Sequence, residues 1–326
     1  MASTRLVTAL AAALLTSACA GSGGAALVTF GTSTSVTPPE PPGVTITTPS
    51  GLPANPACNP VASYRPPASM PVPGAMPPGS TMAAIRAHGT LVVGVDENTY
   101  LFGYLNLSDG QVEGFDIDIA NAVAAAIFGA TGHVQLKVIT VAQRIPDLLN
   151  GSVDIVVDTM TENCARWRQI DFSTEYYSAR QRVLVKTNSR YQSLTDLGGR
   201  KVCADAGSTS IATIARAASH PIPVSAQGIT DCLVMLEQGQ VDAVSTDDSL
   251  LAGLAAQDPH THMVGSSLEA EPYGIGIAPN HLDLVRFVNG VLAQLRADGG
   301  WSKLYQKWPG RLGGPVPSPP AAVYRD

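Results

Sequence analysis

Charge and aromatic rings are both scarce in this chain: of 326 residues, 14% are Asp, Glu, Lys or Arg, 6% are aromatic and three are tryptophan. No lysine- or arginine-rich run occurs and the formal net charge is −6, which excludes a nucleic-acid partner, since that would need a basic stripe. Metal ligands are missing as well. No pair among the five cysteines has zinc-ligand spacing, His260 and His262 stand close in a loop without a third donor, and the adjacent Asp247 and Asp248 lack a further oxygen ligand. No metal or other cofactor is therefore expected. The apolar run Leu6 to Leu15 is too short to cross a bilayer as a permanent helix. What the chain does have is length enough for one or two ordinary domains with real cores.

The two ends differ in composition from the middle. Met1 to Cys19 carries one basic residue, Arg5, then the apolar run, then Thr16-Ser-Ala-Cys, and reads as a secretory signal. Its end resembles the bacterial lipoprotein cleavage box, with Thr16 where leucine is usual. That resemblance implies lipidation of Cys19 and anchoring at the cell membrane through acyl chains; an ordinary signal peptide cut nearby is the alternative. From residue 20 to about residue 80 Gly, Ser, Thr and above all Pro dominate, which predicts a tether rather than a core. As polyproline II it would reach on the order of 150 Å at roughly 3 Å per residue. Residues 313–326 form a second proline-rich tail.

Between the tails, the block from Ser152 to Ser173 organises the rest. Val153 to Val157 is β-branched and apolar without alternation, which predicts a strand buried on both faces of an α/β sheet. Beyond its carboxyl end come Thr159, Thr161 and Asn163, then Arg166, so hydroxyls, backbone amides and a guanidinium gather at the rim where open α/β sheets bind ligands. Such a set suits a carboxylate. A surface arginine paired with a nearby Asp explains this stretch equally well.

The order of a strand, Thr-x-Thr-x-x-Arg and Ile-Asp-Phe-Ser resembles the first-lobe signature of the polar-amino-acid family of periplasmic solute-binding proteins, family 3 of the ABC-transporter receptors. Over residues 82–311 the chain is most similar to glutamine- or glutamate-binding lipoproteins of actinobacteria. It departs from the motif at Asn163, where a second threonine is usual, and at Cys164-Ala165, where an acidic pair is usual. The resemblance implies that Arg166 holds a ligand α-carboxylate, with Thr161 on the α-amino or carboxylate group. It further implies Asp96 at the cleft mouth, Asn98 to Tyr100 lining the pocket with Tyr100 as the ring in reach, and Thr209 and Ser210 closing over the carboxylate. Asp247 would take the ammonium group, and Arg144, in Arg-Ile-Pro, a distal acidic or amide group of the ligand. An arginine at a helix start opposes the helix dipole, so an anion near Arg144 is expected on electrostatic grounds too. Relatives often carry Lys or Arg where this chain has Ala206, which blurs side-chain preference.

The fold so implied is an α/β, periplasmic-binding-protein-like pair of lobes joined by two crossover strands (type II): residues 81–180 with 271–312 as the first lobe, 181–270 as the second. Setting Cys19 aside leaves four cysteines, an even number that favours disulfides in an exported chain. Of three possible connectivities, Cys203 with Cys232 is favoured because both fall in one lobe, which leaves Cys58 with Cys164. The expected function is that of a monomeric extracytoplasmic receptor for a free amino acid, glutamate or aspartate before glutamine or asparagine. Its partner would be ABC-importer permease subunits or, alternatively, a membrane sensor protein. A dehydratase on the same fold is the other class; it would need a general acid or base, for which Glu162 and Asp248 are the candidates.

Overall fold

Two α/β sheets divide the chain in the computed structural model, which describes residues 38–46 and 56–326. In the first lobe the strand order is Val134–Val138, Leu91–Val95, Ile155–Val156, Gly276–Ile277, Asp171–Phe172. Leu91–Val95 runs parallel to both of its neighbours, whereas Gly276–Ile277 is antiparallel to both of its own. Ile155, Val156 and Val157 have no exposed surface, as the unbroken apolar run requires. Helix Phe115–Phe128 lays the stripe Phe115, Ile119, Val123 and Ile127 into this core, each wholly buried. Only glycine can start it, because Gly114 has φ +144° and a Cβ there would collide with the Phe102 carbonyl. Helices Leu282–Ala297 and Gly300–Lys307 cover the same helix, and Trp301 donates its indole N–H to the Tyr176 carbonyl at 2.7 Å.

The second lobe orders its strands Thr45–Ile46, Ile222–Ala226, Lys201–Asp205, Ala243–Asp247, Tyr177–Lys186, Thr261–Val264, with a parallel centre and antiparallel flanks. A disulfide between Cys203 and Cys232 ties its central strand to helix Ile229–Glu237. The lobes share two crossover strands. Tyr177–Lys186 pairs at its start with Ala270–Tyr273, the other crossover strand, and at its end with the second sheet. A short three-stranded sheet of Asn98–Thr99, Gly103–Asn106 and Gln111–Glu113, unsuspected from the sequence, leads into helix Phe115–Phe128.

The tails depart from expectation. The signal segment with Cys19, and residues 20–37 and 47–55 of the expected tether, lie outside the described residues. Thr45–Ile46 adds an edge strand to the second lobe, with Thr45 opposite Ser225. Residues 56–80 do not hang free: Cys58 is bonded to Cys164, Ser63 is wholly buried and donates to the Phe172 carbonyl at 2.7 Å, and Asn289 donates to the Ser63 hydroxyl and the Tyr64 carbonyl. The C-terminal tail also packs, with Val323–Tyr324 parallel to Ala62–Ser63 and Asp326 bonded to Arg65 and Arg286. Proline fixes an extended backbone but leaves carbonyls and side chains free to bond, so composition alone could not distinguish a strap from a tether.

Candidate ligand-binding site

The turn after the Ile155–Val156 strand is fastened to the crossover. Thr161 forms a β-bridge with Tyr273, Glu162 N–H donates to the Pro272 carbonyl at 2.8 Å, and Gly274 N–H to the Met160 carbonyl at 3.0 Å. Asn163, where the family motif carries threonine, caps the next turn by accepting from Arg166 N–H at 2.9 Å. Arg166 thereby points inward, 8% exposed, and its Nη1 donates to the Thr161 carbonyl at 2.7 Å. Burial and the neighbouring Arg144 guanidinium draw its pKa down to about 10, against the pull of Glu271 and Asp247, so it stays charged at neutral pH.

Facing it from the second lobe is the start of helix Thr209–Arg216, capped by Ser208. Thr209 Oγ1 donates to Glu271 Oε2 at 2.9 Å and stands 3.5 Å from Thr161 Oγ1. Arg144, Thr159, Thr161, Arg166, Thr209, Ser210 and Asp247 all line one interlobe cavity of about 20 Å³. That is room for roughly one water, so the lobes are shut upon each other and must part to admit an amino acid. Thr159 is held there at φ +41°, a strained geometry for a β-branched residue, by its N–H bond of 2.8 Å to Asp116. Asp116, placed by its sequence position at a helix start, is thus a support of the site. Burial pushes its carboxyl up to about 7.

Two arginines and two aspartates line this cavity, and with Asp158 and Glu271 just behind them carboxylates outnumber cations. Asp247 accepts from Tyr273 Oη at 2.7 Å with one oxygen, while its other oxygen and Oδ1 of Asp205 are buried without a hydrogen-bond partner among the described residues. Burial pushes both far above the ordinary carboxylate range, with Glu271 adding to the effect at Asp247 and Asp96 at Asp205. A ligand ammonium would supply the missing donors and the missing charge. Asp205, Glu271 and Asp158 were not singled out by sequence. The signal for Asp205 and Asp158 was available in their place at strand carboxyl ends.

Arg144, Asp96 and Tyr100 have partners that the sequence did not show. Arg144 has an internal partner: its Nε donates to Asp158 at 2.6 Å, both groups being buried. Burial opposes the Arg144 charge, but the Asp158 carboxylate holds the guanidinium above its ordinary pKa. Burial pushes Asp158 up to about 6 against Arg144, so the pair is ionised at neutral pH. Asp96 turns back onto its own loop, accepting from Glu97 N–H, Asn98 Nδ2 and Thr99 Oγ1, and lines a neighbouring cavity of about 250 Å³ with Arg144 and Asp205 rather than the inner one. Tyr100 lines neither; its ring meets Tyr104 edge-on at 5.0 Å and its backbone abuts Gly253.

On the other side of Arg166 lies an open cavity of about 800 Å³, bordered by Thr161, Arg166, Thr209, Glu271 and the strap residues Pro60 and Val61. Glu162, the first candidate general acid, is buried at its edge with neither oxygen hydrogen-bonded among the described residues, and burial raises its pKa well above the usual range. Asp248, the second, accepts the Arg180 N–H at 3.1 Å. Among the described residues neither is oriented by a proton-relay partner.

A profile for bacterial extracellular solute-binding proteins, family 3, matches residues 91–311. The chain belongs to this family. It is 38% identical over 229 residues, 70% of its length and 84% of the relative's, to the ABC transporter glutamine-binding protein GlnH of Bacillus subtilis, and 29% identical over 246 residues, 72% of its length and 81% of the relative's, to a glutamate/aspartate import solute-binding protein of Salmonella typhimurium. An ancestral arginine-binding protein bound to glutamine superposes with a TM-score of 0.63 at 34% identity, covering 68% of this chain and 97% of that one. These relatives are solute-binding proteins rather than enzymes, and the fold is the two-lobed type II arrangement. Among the described residues no helix is long and apolar enough to cross a membrane.

Proposed function

We propose that this family member captures one free polar amino acid between its lobes and delivers it to the permease subunits of an ABC importer, tethered to the membrane through Cys19. The observation that carries this reading is the opposition of Arg166, from the first lobe, to Asp247, from the second, around a single interlobe cavity. One sign alone would suit many ions; both signs, on separate lobes, suit an α-amino acid whose binding holds the lobes shut. Arg166 with Thr161 and Thr209 takes the carboxylate, displacing Glu271 from the hydroxyls, and Asp247 takes the ammonium.

The ligand's side chain points toward Arg144, and there the order expected from sequence reverses. With Asp158 neutralising Arg144, a second ligand carboxylate would meet a compensated guanidinium among Asp96, Asp158 and Asp205, so glutamine and asparagine precede glutamate and aspartate. The glutamine-binding relative supports the same order. A thermal-shift panel of the twenty amino acids tests this. At a hundred times its dissociation constant a ligand adds about 2.7 kcal/mol of stability. Glutamine is expected to give the largest shift; absence of a shift with all four named amino acids would count against capture.

A further inference from the structure

We infer that the two chain ends, which lie outside the stretch shared with the family, position Arg166 for its ligand by bracing the turn that carries it. Three contacts converge there. Cys164, two residues before Arg166, is joined to Cys58 across 106 residues of sequence. Trp167, the next residue, donates its indole N–H to the Pro60 carbonyl at 2.6 Å. The Arg325 guanidinium lies 3.8 Å from the centre of the Trp167 ring.

Each brace is itself anchored. Arg325 donates its Nε to the Ala62 carbonyl at 2.6 Å and its backbone N–H to the Ser63 carbonyl at 2.9 Å, within the parallel pairing of Val323–Tyr324 with Ala62–Ser63. Asn289, in the helix covering the first lobe, fixes Ser63 and Tyr64 from beneath. The turn of Arg166 is thus pinned to the N-terminal strap through a covalent bond and a hydrogen bond, and to the C-terminal tail, itself paired with that strap, through a stacked cation.

The local sequence explains why such a brace is needed. The turn Arg166–Arg168 is a single 3₁₀ segment of three residues, too short to hold its own geometry, and no acidic residue stands in its first turn. Cys164, through its disulfide, gives the turn support from a distant strap. A guanidinium that must meet a carboxylate with both donors in register gains affinity from this kind of preorganisation. Cys58, Pro60, Trp167 and Arg325 are therefore positioning residues; of these Pro60 also borders the 800 Å³ cavity beside Arg166.

The inference rests on the capture reading, and its test separates the two. L-glutamine is titrated calorimetrically into the full chain and into four variants: Cys58→Ser with Cys164→Ser, Arg325→Ala, Arg325→Lys, and Leu197→Ala as a control. Leu197 is wholly buried in a second-lobe cluster without Arg166 or its braces, so that variant lowers stability without touching the turn. The disulfide variant is expected to weaken binding about tenfold through lost preorganisation. Arg325→Ala should weaken it by a smaller factor that Arg325→Lys largely restores, since an ammonium also binds an indole face. Leu197→Ala should lower Tm and leave affinity unchanged. Amide exchange at Arg166 and Trp167, both bonded to Asn163, reads the turn without any ligand and should accelerate more in the disulfide and Arg325→Ala variants than in the control. Unchanged affinity and exchange in those two variants, or affinity that merely tracks Tm across all four, would overturn the brace. If the wild-type chain binds no amino acid, the capture reading falls, and exchange alone then decides whether the turn is braced.

Discussion

The two rims that face each other across the cleft are built differently and charged oppositely. On the first lobe, short helical turns beyond the strands present Arg144 and Arg166, with the Asp158 carboxylate paired to Arg144. On the second, strand ends present Asp205 and Asp247, each keeping a buried oxygen without a partner among the described residues. The first rim is electrostatically settled and the second is not. Burial lowers the Arg166 pKa only to about 10, leaving it charged, whereas burial drives Asp205 and Asp247 well above the carboxylate range. The first rim is thus ready for a carboxylate before ligand arrives, and the second becomes fully charged when an ammonium arrives to offset its burial.

Changing the settled rim should matter most. Arg166→Ala removes a buried, hydrogen-bonded cation and is expected to weaken glutamine binding by more than about a hundredfold, in line with 2–5 kcal/mol for truncating such a partner, as read by calorimetry. Asp247→Asn keeps the shape but not the charge, and should cost about 1.5–3 kcal/mol, a smaller loss. In the wild type the same imbalance makes affinity fall as pH drops, because Asp247, its pKa raised by burial and by Glu271, takes up a proton that ligand must expel. Titrations in buffers of different ionisation enthalpy should accordingly show proton release on binding. Asp158→Asn leaves Arg144 uncompensated and should shift preference toward glutamate by about tenfold relative to glutamine, measured as a ratio of dissociation constants.

The smallest effect concerns the support under the first rim. Asp116 rises from an ordinary 3.8 to about 7 when folded, with Asp158 raising it and Tyr176 and Arg144 lowering it after burial. The folded chain therefore holds a proton that the unfolded chain releases over this interval. The stability this group contributes is complete below 3.8 and is lost as pH rises through about 7. Thermal melts across that range should show Tm falling with pH, and Asp116→Asn should make the fall shallower.

How much of this was legible in the sequence follows from the range of each interaction. The run Val153 to Val157 and the stripe Phe115, Ile119, Val123 and Ile127 declare their burial through spacing alone, and both lie in the core. Arg166, Thr161, Thr209 and Asp247 could be named from a motif, and the fold brings them to one cavity. What spacing could not reveal is who pairs with whom. Arg144 and Asp158 are 14 residues apart with nothing in either to mark the other as partner. The strap at 56–80 shows the limit most clearly: its proline-rich composition signals an extended chain and the cysteine count pairs Cys58 with Cys164, but the other residues that fix it, Trp167, Asn289 and Arg325, are at least 107 positions away from the residues they hold. The edge contact of Tyr100 with Tyr104, four residues on, was likewise not marked by either residue's place in the sequence.

Everything turns on a zwitterion being gripped from both sides. The direct measurement is a pair of calorimetric titrations of the wild-type chain, one with L-glutamine and one with glutaramate, which keeps the carboxylate and amide but lacks the ammonium. The expected result is binding of glutamine and a loss of about two orders of magnitude for glutaramate, since Asp247 would remain buried without its counter-charge. Equal affinity for the two would mean that Asp247 takes no part, and the opposition of the rims would have no bearing on capture.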